Sequence, residues 1–542
     1  MALISIIEDF HPLNNARLLD RAAELVQPLH HHVKEPVGGF KLKERYSPEK
    51  EEVVLQKVPH LAMGKGENLC LDFGTHLVGY LTLNLSYTGS HPDAPVWLRL
   101  KFCESPRELN ETVEGYKGWI SKGWIQEEQL HIDVLPCELS LSRRYAFRYL
   151  RVEVLAVSLK FRMAVEDAWL DSTTSADDGA LAPFEGTPEE AAIDRVAVRT
   201  PRSCMQDFFE DGPKRDRRLW LGDLRLQALT SYATFHGDDL VKRCLYLFAA
   251  AAGDDGQLTA CLFTEPKLEG DDNWMADYAL LFISTLKDYV AHTGDLDTGR
   301  ELLPVALRQL ELSESYFDPQ TQLVRDGDAK SLTRRQQSKG PEKQANMVDQ
   351  SAFFIDWNLT LNKQAAGQAV WIYCARDALR LMALLHETDG AEALRQRIEA
   401  RSAAAVARLY DGERGLFVSG AARQVSWASQ VWFALADVLP REDALRALEN
   451  VALDGEAAIM VSPYMMHHYV DALYHLGCPE KAHQVMMDYW GGMVRLGADT
   501  FFELYNPANP DESPYGSPIV NSYCHAWSCT PAYFLRGGAK ER

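Results

Sequence analysis

The sequence predicts a multidomain chain of β plus α class, with an antiparallel β-sandwich over residues 1–180 and a helical domain over 181–542 whose length suits an (α/α)6 barrel. Three observations carry that reading. Apolar and polar residues alternate in the first third, and beyond a polar stretch at 171–179 the apolar spacing lengthens to three and four residues. The 542 residues also exceed what a single hydrophobic core supports.

The sandwich rests on short period-2 runs. In residues 81–87, Leu81, Leu83 and Leu85 fall on one face and Thr82, Asn84 and Ser86 on the other, as in a strand with one side buried. Residues 96–102 and 150–154 are further candidates, and the turn-forming stretch 88–95 separates the first two runs. Several short strands with no long helical pattern between them predict an antiparallel sandwich. The polar residues 171–179 end this region and mark the domain boundary.

In the second part, residues 239–252, 299–317, 368–386, 391–410, 429–439 and 462–476 carry the spacing of amphipathic helices. Gly477 followed by Pro479 supplies a left-handed cap and a helix start, the short link of an antiparallel hairpin. The remaining length accommodates about twelve helices at roughly 25 to 30 residues for each helix and its loop. Twelve helices in hairpins close into an (α/α)6 barrel. An open α-solenoid is the alternative, although no fixed-period repeat accompanies it. Residues 325–350 are polar, locally basic and without apolar period, which predicts a solvated surface loop, with a mobile lid as the other reading.

Composition excludes several classes of function. With 77 acidic against 56 basic residues the chain carries a formal charge of −21, which repels phosphate backbones and anionic membranes. Neither nucleic acid nor a membrane surface is expected as a partner. The amino terminus has no basic stretch followed by an apolar run, which points to the cytoplasm. Ten scattered cysteines without Cys-x-x-Cys or zinc spacing read as reduced thiols. No dinucleotide fingerprint, P-loop, serine-hydrolase elbow or zinc-protease motif occurs. His30, His31 and His32 read as surface, and His467 and His468 as core or pocket lining. No metal or cofactor is expected.

Two stretches are candidates for chemistry, although the composition of the first also suits a capped helix start with surface ion pairs. In residues 209–223, Asp211, Asp216 and Asp223 alternate with Lys214, Arg215, Arg217 and Arg218 around Trp220, in a segment turned by Gly212 and Pro213. A carboxyl shielded by an indole has its pKa raised and serves as a general acid near neutral pH. Near the carboxyl end, Glu503 stands among aromatic and aliphatic neighbours and is followed by Tyr515, Tyr523, His525 and Trp527. Aromatic faces with a few polar groups suit a pyranose ring, and two carboxylates in such a pocket are the minimal equipment of a glycosidase.

The run Asp211-Gly-Pro-Lys-Arg-Asp216 with Trp220-Leu-Gly-Asp223, then Thr500-Phe-Phe-Glu503, then His525-Ala-Trp527, resembles the signature of α-L-rhamnosidases of glycoside hydrolase family 78. Residues 72–79 resemble the opening of that family's β-sandwich. Asp356, Trp357 and the region around Trp274 resemble acidic and aromatic positions lining its barrel. The resemblance implies a catalytic (α/α)6 barrel behind a β-sandwich and hydrolysis of a terminal α-L-rhamnose with inversion. Glu503 matches the general base. Many members carry Glu directly after the Arg-Asp pair. Here Arg217 takes that position and the segment is one residue shorter, so the acid role passes to Asp216. Asp211 and Asp223 would hold sugar hydroxyls, with Trp220 against the ring or its methyl group.

The departure at Arg217 keeps two alternatives open: a six-hairpin glycosidase for another sugar, such as a uronic acid, and an inactive relative that only binds carbohydrate. A uronate would want a cation beside Glu503, and none is adjacent to it in sequence. The expected substrates are small rhamnosides or short oligosaccharides. The sandwich is expected to pack against and shield the barrel. Aglycone, linkage and oligomeric state, a homodimer included, are left open.

Overall fold

The computed structural model describes residues 15–42, 50–53, 61–271, 274–326, 353–513 and 515–540. The polar stretch assigned to 325–350 falls almost wholly outside the described residues, as do Asp272 and residues 1–13.

Among the described residues, nine antiparallel strands form the first unit: β1 (His30–Lys34), β2 (Gly38–Leu42), β3 (Lys50–Val53), β4 (Asn68–Gly89), β5 (Val96–Cys103), β6 (Glu127–Ile132), β7 (Cys137–Ser140), β8 (Tyr145–Ala156) and β9 (Phe161–Thr174). They join in one sheet of order β1-β9-β4-β8-β5-β6, with β2 (carrying β3) and β7 also pairing along β4, so that the sheet folds over on the long β4. Its first residues pair with β8, the register shifts between Asp72 and Leu77, and from Gly79 onward it pairs with β9. Gly79 sits at the changeover because a Cβ there would lie 2.0 Å from the carbonyl oxygen of Asp171. Leu69 and Leu71 from the first half of β4 share one core with Leu81, Leu83 and Leu85 from the second, joined by Leu98, Leu100, Leu150 and Val152. All are essentially sealed from water, and this apolar layer holds the sandwich together.

Two features depart from expectation. The polar stretch at 171–179 begins as strand, since Asp171 to Thr174 pair with Val33 to His30 on β1. Thr174 and Thr173 are buried because their hydroxyls donate to the carbonyl of Arg202 and to the Gln206 side chain of the helical unit. The chain also begins with a helix, α1 (Asn15–Glu24), which docks Leu18 and Ala22 into the helical core rather than into the sandwich.

The helical unit is an (α/α)6 barrel. Its helices are α2 (Pro188–Cys204), α3 (Leu221–Tyr232), α4 (Asp238–Ala250), α5 (Ala276–Thr293), α6 (Leu296–Leu312), α7 (Gln364–Leu385), α8 (Ala391–Leu409), α9 (Trp427–Leu435), α10 (Arg441–Leu453), α11 (Pro463–His475), α12 (Pro479–Arg495) and the short α13 (Pro531–Leu535). The inner ring runs α3, α5, α7, α9, α11 and then the segment from Ala526 through α13, which returns to α3. Outside it stand α4, α6, α8, α10 and α12, with α2 bridging α12 and α13. Every residue of α3 is buried, whereas α8 and α10 bury single stripes. Gly477 takes φ +67° and Pro479 opens α12, as the sequence indicates. The two sequence motifs around Asp211–Asp223 and Glu503–Trp527 lie in the two long irregular connections of this ring, between α2 and α3 and between α12 and α13.

Candidate active site

The loop between α2 and α3 is organised around the carboxyl of Asp211. Its Oδ2 accepts from the Asp216 N–H at 3.2 Å and its Oδ1 from the Arg218 N–H at 3.1 Å. The backbone N–H of Asp211 donates to the Arg218 carbonyl, closing the loop on itself. Trp220 then leads directly into α3, whose first turn carries Asp223.

The second connection pairs with itself and with this loop. Glu503 N–H donates to the Ser522 carbonyl, His525 N–H to Phe501, and Ala526 N–H to Asp211 at 2.7 Å. The Trp527 indole N–H donates to the Glu503 carbonyl at 2.9 Å. The three sequence motifs are thereby laced together through backbone.

Arg215 joins the two candidate catalytic carboxylates. Its Nη2 donates to Glu503 Oε2 at 2.5 Å, and its Nη1 stands 3.6 Å from Asp216 Oδ1. Both nitrogens belong to one planar guanidinium, so those carboxyl oxygens lie within about 8 Å of each other, facing the same space. Tyr515 completes the cradle: its hydroxyl donates to Glu503 Oε1, and its ring carries the Arg215 guanidinium 4.2 Å above its centroid. Both partners of Glu503 are buried with it.

Burial dominates the protonation of the acids. It pushes Asp211 up to about 8, aided by the nearby charge of Asp216. Burial likewise raises Asp223 well above the carboxylate range, with Asp211 and Glu503 adding repulsion. Asp216 is also raised, by burial first and by Glu503, against the pull of Arg215 and Arg218. His525 lies between Asp211 and Asp223, at 3.9 and 3.6 Å, and burial and Arg215 hold it well below its usual value. A neutral imidazole between two protonated carboxyls is no ion pair. Asp223 Oδ1 and His525 Nδ1 are buried and have no hydrogen-bond partner among the described residues.

Aromatic rings surround the acids. Trp220 meets Tyr278 edge-on at 6.3 Å and Trp274 stacks on Tyr316 at 5.0 Å, and neither indole N–H has a partner among the described residues. Trp357, also without one, packs against Phe354 at 5.3 Å and Tyr515 at 5.9 Å. Phe354 in turn stacks on Trp527 at 6.1 Å. Asp356 faces elsewhere. Its oxygens accept from the Ser462 hydroxyl and from the N–H groups of Val461 and Trp357, which fixes the start of α11, and burial pushes it up to about 6.

Sequence reasoning missed the contribution of the sandwich. Glu104 and Glu108, just beyond β5, clamp Lys214 of the catalytic loop at 3.2 and 2.8 Å, with all three side chains buried. Burial opposes the charge on Lys214, but the two carboxylates hold its pKa above the ordinary value. Arg217 also turns to the sandwich, donating to the Arg144 carbonyl at 2.7 Å and back to Pro213 at 2.8 Å. The residue that departs from the family pattern is thus a tether between the units. Glu104 and Glu108 lie over a hundred positions from Lys214, without motif character, so no sequence signal announced them.

Two family models match the chain: the glycosyl hydrolase family 78 alpha-rhamnosidase N-terminal domain over residues 43–172, and the bacterial alpha-L-rhamnosidase 6 hairpin glycosidase domain over 189–537. The chain belongs to glycoside hydrolase family 78. It is therefore a glycosidase, as the motifs implied. A rhamnosidase from Klebsiella oxytoca, solved with rhamnose bound, is 43% identical, with a TM-score of 0.89 over 96% of this chain and 98% of that one. The family-78 rhamnosidase of Bacillus sp. GL1 is 21% identical, with a TM-score of 0.71 over 90% of this chain and 49% of its own. The Streptomyces avermitilis α-L-rhamnosidase complexed with L-rhamnose is 15% identical, with a TM-score of 0.64 over 95% and 44%. These last two likenesses speak to the fold alone. Among curated proteins, none matches this chain. In this family-78 chain no group of three or more His, Cys, Asp or Glu among the described residues is placed to hold a metal ion. No helix among them is long and apolar enough to cross a membrane.

Proposed function

We propose that this family-78 chain hydrolyses terminal α-L-rhamnosides with inversion, with Asp216 as general acid and Glu503 as general base. The carrying observation is the single guanidinium of Arg215 set between the two carboxyl groups. Asp216 is the more accessible of the two, its side chain 21% exposed, and its pKa is raised, both of which suit a proton donor to a leaving group. Asp211, by contrast, has both oxygens engaged by its own loop.

The steps follow. The Asp216 carboxyl gives its proton to the glycosidic oxygen as the bond from that oxygen to the anomeric carbon breaks. A water attacks the anomeric carbon from the opposite face and passes a proton to Glu503. The products are β-L-rhamnose and the freed alcohol, and exchange with solvent restores both carboxyls. The bound of about 8 Å admits the roughly 6.5–9.5 Å spacing that leaves room for the water. Asp223 and His525 meet the sugar hydroxyls, Asp211 shapes the loop beneath them instead of holding a hydroxyl, and Trp220, Trp274, Trp357 and Trp527 wall the ring. Asp356 supports the wall from behind.

A cation does stand beside Glu503 in space, although none does in sequence, but the charge of Arg215 is matched by Glu503 itself. A neutral sugar fits this site better than a uronate. The ten cysteines are free thiols, which supports action in a reducing compartment, the cytoplasm, on small rhamnosides. The chain divides functionally into the units 1–180 and 181–542. With p-nitrophenyl α-L-rhamnoside as substrate, Glu503→Gln and Asp216→Asn should each lower kcat by about 10²–10⁴-fold with folding intact. Unchanged rates in both variants would refute the assignment. Sugar binding by a wild type inert on a panel of aryl glycosides would favour the binding-only reading.

A further inference from the structure

The connection after β5 leaves the sandwich at Glu111 and returns at Ile125, and it is pinned onto the catalytic unit. Tyr116 and Ile125 are buried in one small apolar cluster with Tyr515, Ile519 and Val520 of the segment that carries Glu503's hydroxyl partner. Gly118 lies directly on that segment, since a Cβ there would stand 1.9 Å from the Tyr515 carbonyl oxygen. The Ile120 N–H donates to the Tyr116 hydroxyl at 3.0 Å, closing the connection on itself. Trp119 projects from this anchored turn.

Trp119 is 59% exposed, between Gly118, which lies on the Tyr515 carbonyl, and Ile120, whose N–H is bonded to Tyr116. A lone exposed indole is ordinary on a protein surface, and what distinguishes this one is its aromatic contacts. From His525 a continuous series runs to Trp527 at 4.3 Å, to Phe354 at 6.1 Å, to Trp357 at 5.3 Å, to Tyr515 at 5.9 Å and to Trp119 at 5.5 Å. The series begins at the buried floor, where Trp527 is 3% exposed, and reaches solvent at Trp119. Tyr515, the link before it, touches Glu503 and supports the guanidinium that faces Asp216.

We propose that Trp119, supplied by the sandwich, is the platform on which the ring attached to the departing oxygen of the substrate stacks. This rests on the rhamnosidase reading above. The chemistry it selects is a flat ring with an apolar face, which a pyranose and an aryl group share. The sandwich then determines which leaving groups are accepted, while the barrel determines the sugar that is cleaved.

The test compares wild type, Trp119→Ala and Trp119→Phe on three substrates: p-nitrophenyl α-L-rhamnoside, a rhamnosyl-glucose disaccharide and α-L-rhamnosyl fluoride, whose leaving group has no ring. Trp119→Ala should lower kcat/KM about three- to tenfold on one or both ring-bearing substrates, and whichever responds identifies the ring class. It should leave the fluoride and the inhibition constant of free rhamnose within about twofold, and Trp119→Phe should recover most of the loss. Equal loss on all three substrates would mean a merely structural residue and overturn the proposal, as would no change on either ring-bearing substrate. A wild type inert on all three would instead bring down the rhamnosidase reading on which the proposal stands.

Discussion

Asp211 spends its oxygens on the N–H groups of Asp216 and Arg218, so its carboxyl is a structural group kept protonated by burial up to about pH 8. Its folded pKa lies above the unfolded carboxylate value, so between about pH 4 and 8 the folded state binds more protons and stability falls as pH rises. Asp211→Asn fixes the neutral form. The Tm of this variant relative to wild type should climb as pH rises from 5 to 8 and level off above that, and a difference flat with pH across this range would contradict the assignment. The raised pKa of Asp216 has a kinetic counterpart. On an alkyl α-L-rhamnoside, whose leaving group needs protonation, the alkaline limb of kcat/KM should lie above the ordinary carboxylate range in the wild type and vanish from the residual activity of Asp216→Asn. At this scale the acids were legible because they sit in compact motifs with unusual neighbours. Arg215 was visible in the motif but its partner was not, for Glu503 lies 288 positions away and only folding brings them together.

The sequence marks some of the helices that position the site and not others. Helices α6, α8 and α10 leave one side to solvent and show the three- and four-residue spacing, and α4, α7, α9 and α11 show it too although most of their residues are buried. The inner α3 and α5 are buried nearly all round and carry no such stripe. Strand β9 was overlooked for a related reason, since its last residues are polar and are buried by hydroxyl bonds to the barrel. The contact between elements that most affects the site is the clamp on Lys214. Lys214→Met leaves Glu104 and Glu108 as buried like charges and should cost about 3–5 kcal/mol in urea unfolding, as removal of one partner from a buried ion pair does. Adding Glu108→Gln should return part of that loss. A double variant no more stable than the single one would show that the pair is not coupled.

Across the whole molecule, the two units share buried charges, the Arg217 tether and the α1 helix, which leaves the sandwich side to pack in the barrel core. Calorimetry should therefore record one cooperative transition, while two resolved transitions would mean that the clamp contributes little. The formal charge of −21 bears on solubility, since only a handful of the 77 acids line the site. The expectation that the sandwich simply shields the barrel understated it, because Glu104, Glu108 and the turn bearing Trp119 reach the catalytic segments. Periodicity and motifs indicated the sandwich, the barrel and their order, but an interface made of residues far apart in sequence leaves no local pattern. The central claim is inversion by Asp216 and Glu503 around Arg215, and proton NMR of the first rhamnose anomer released from p-nitrophenyl α-L-rhamnoside tests it most directly. The account predicts β-L-rhamnose first, followed by mutarotation; α-L-rhamnose as the first product would contradict it.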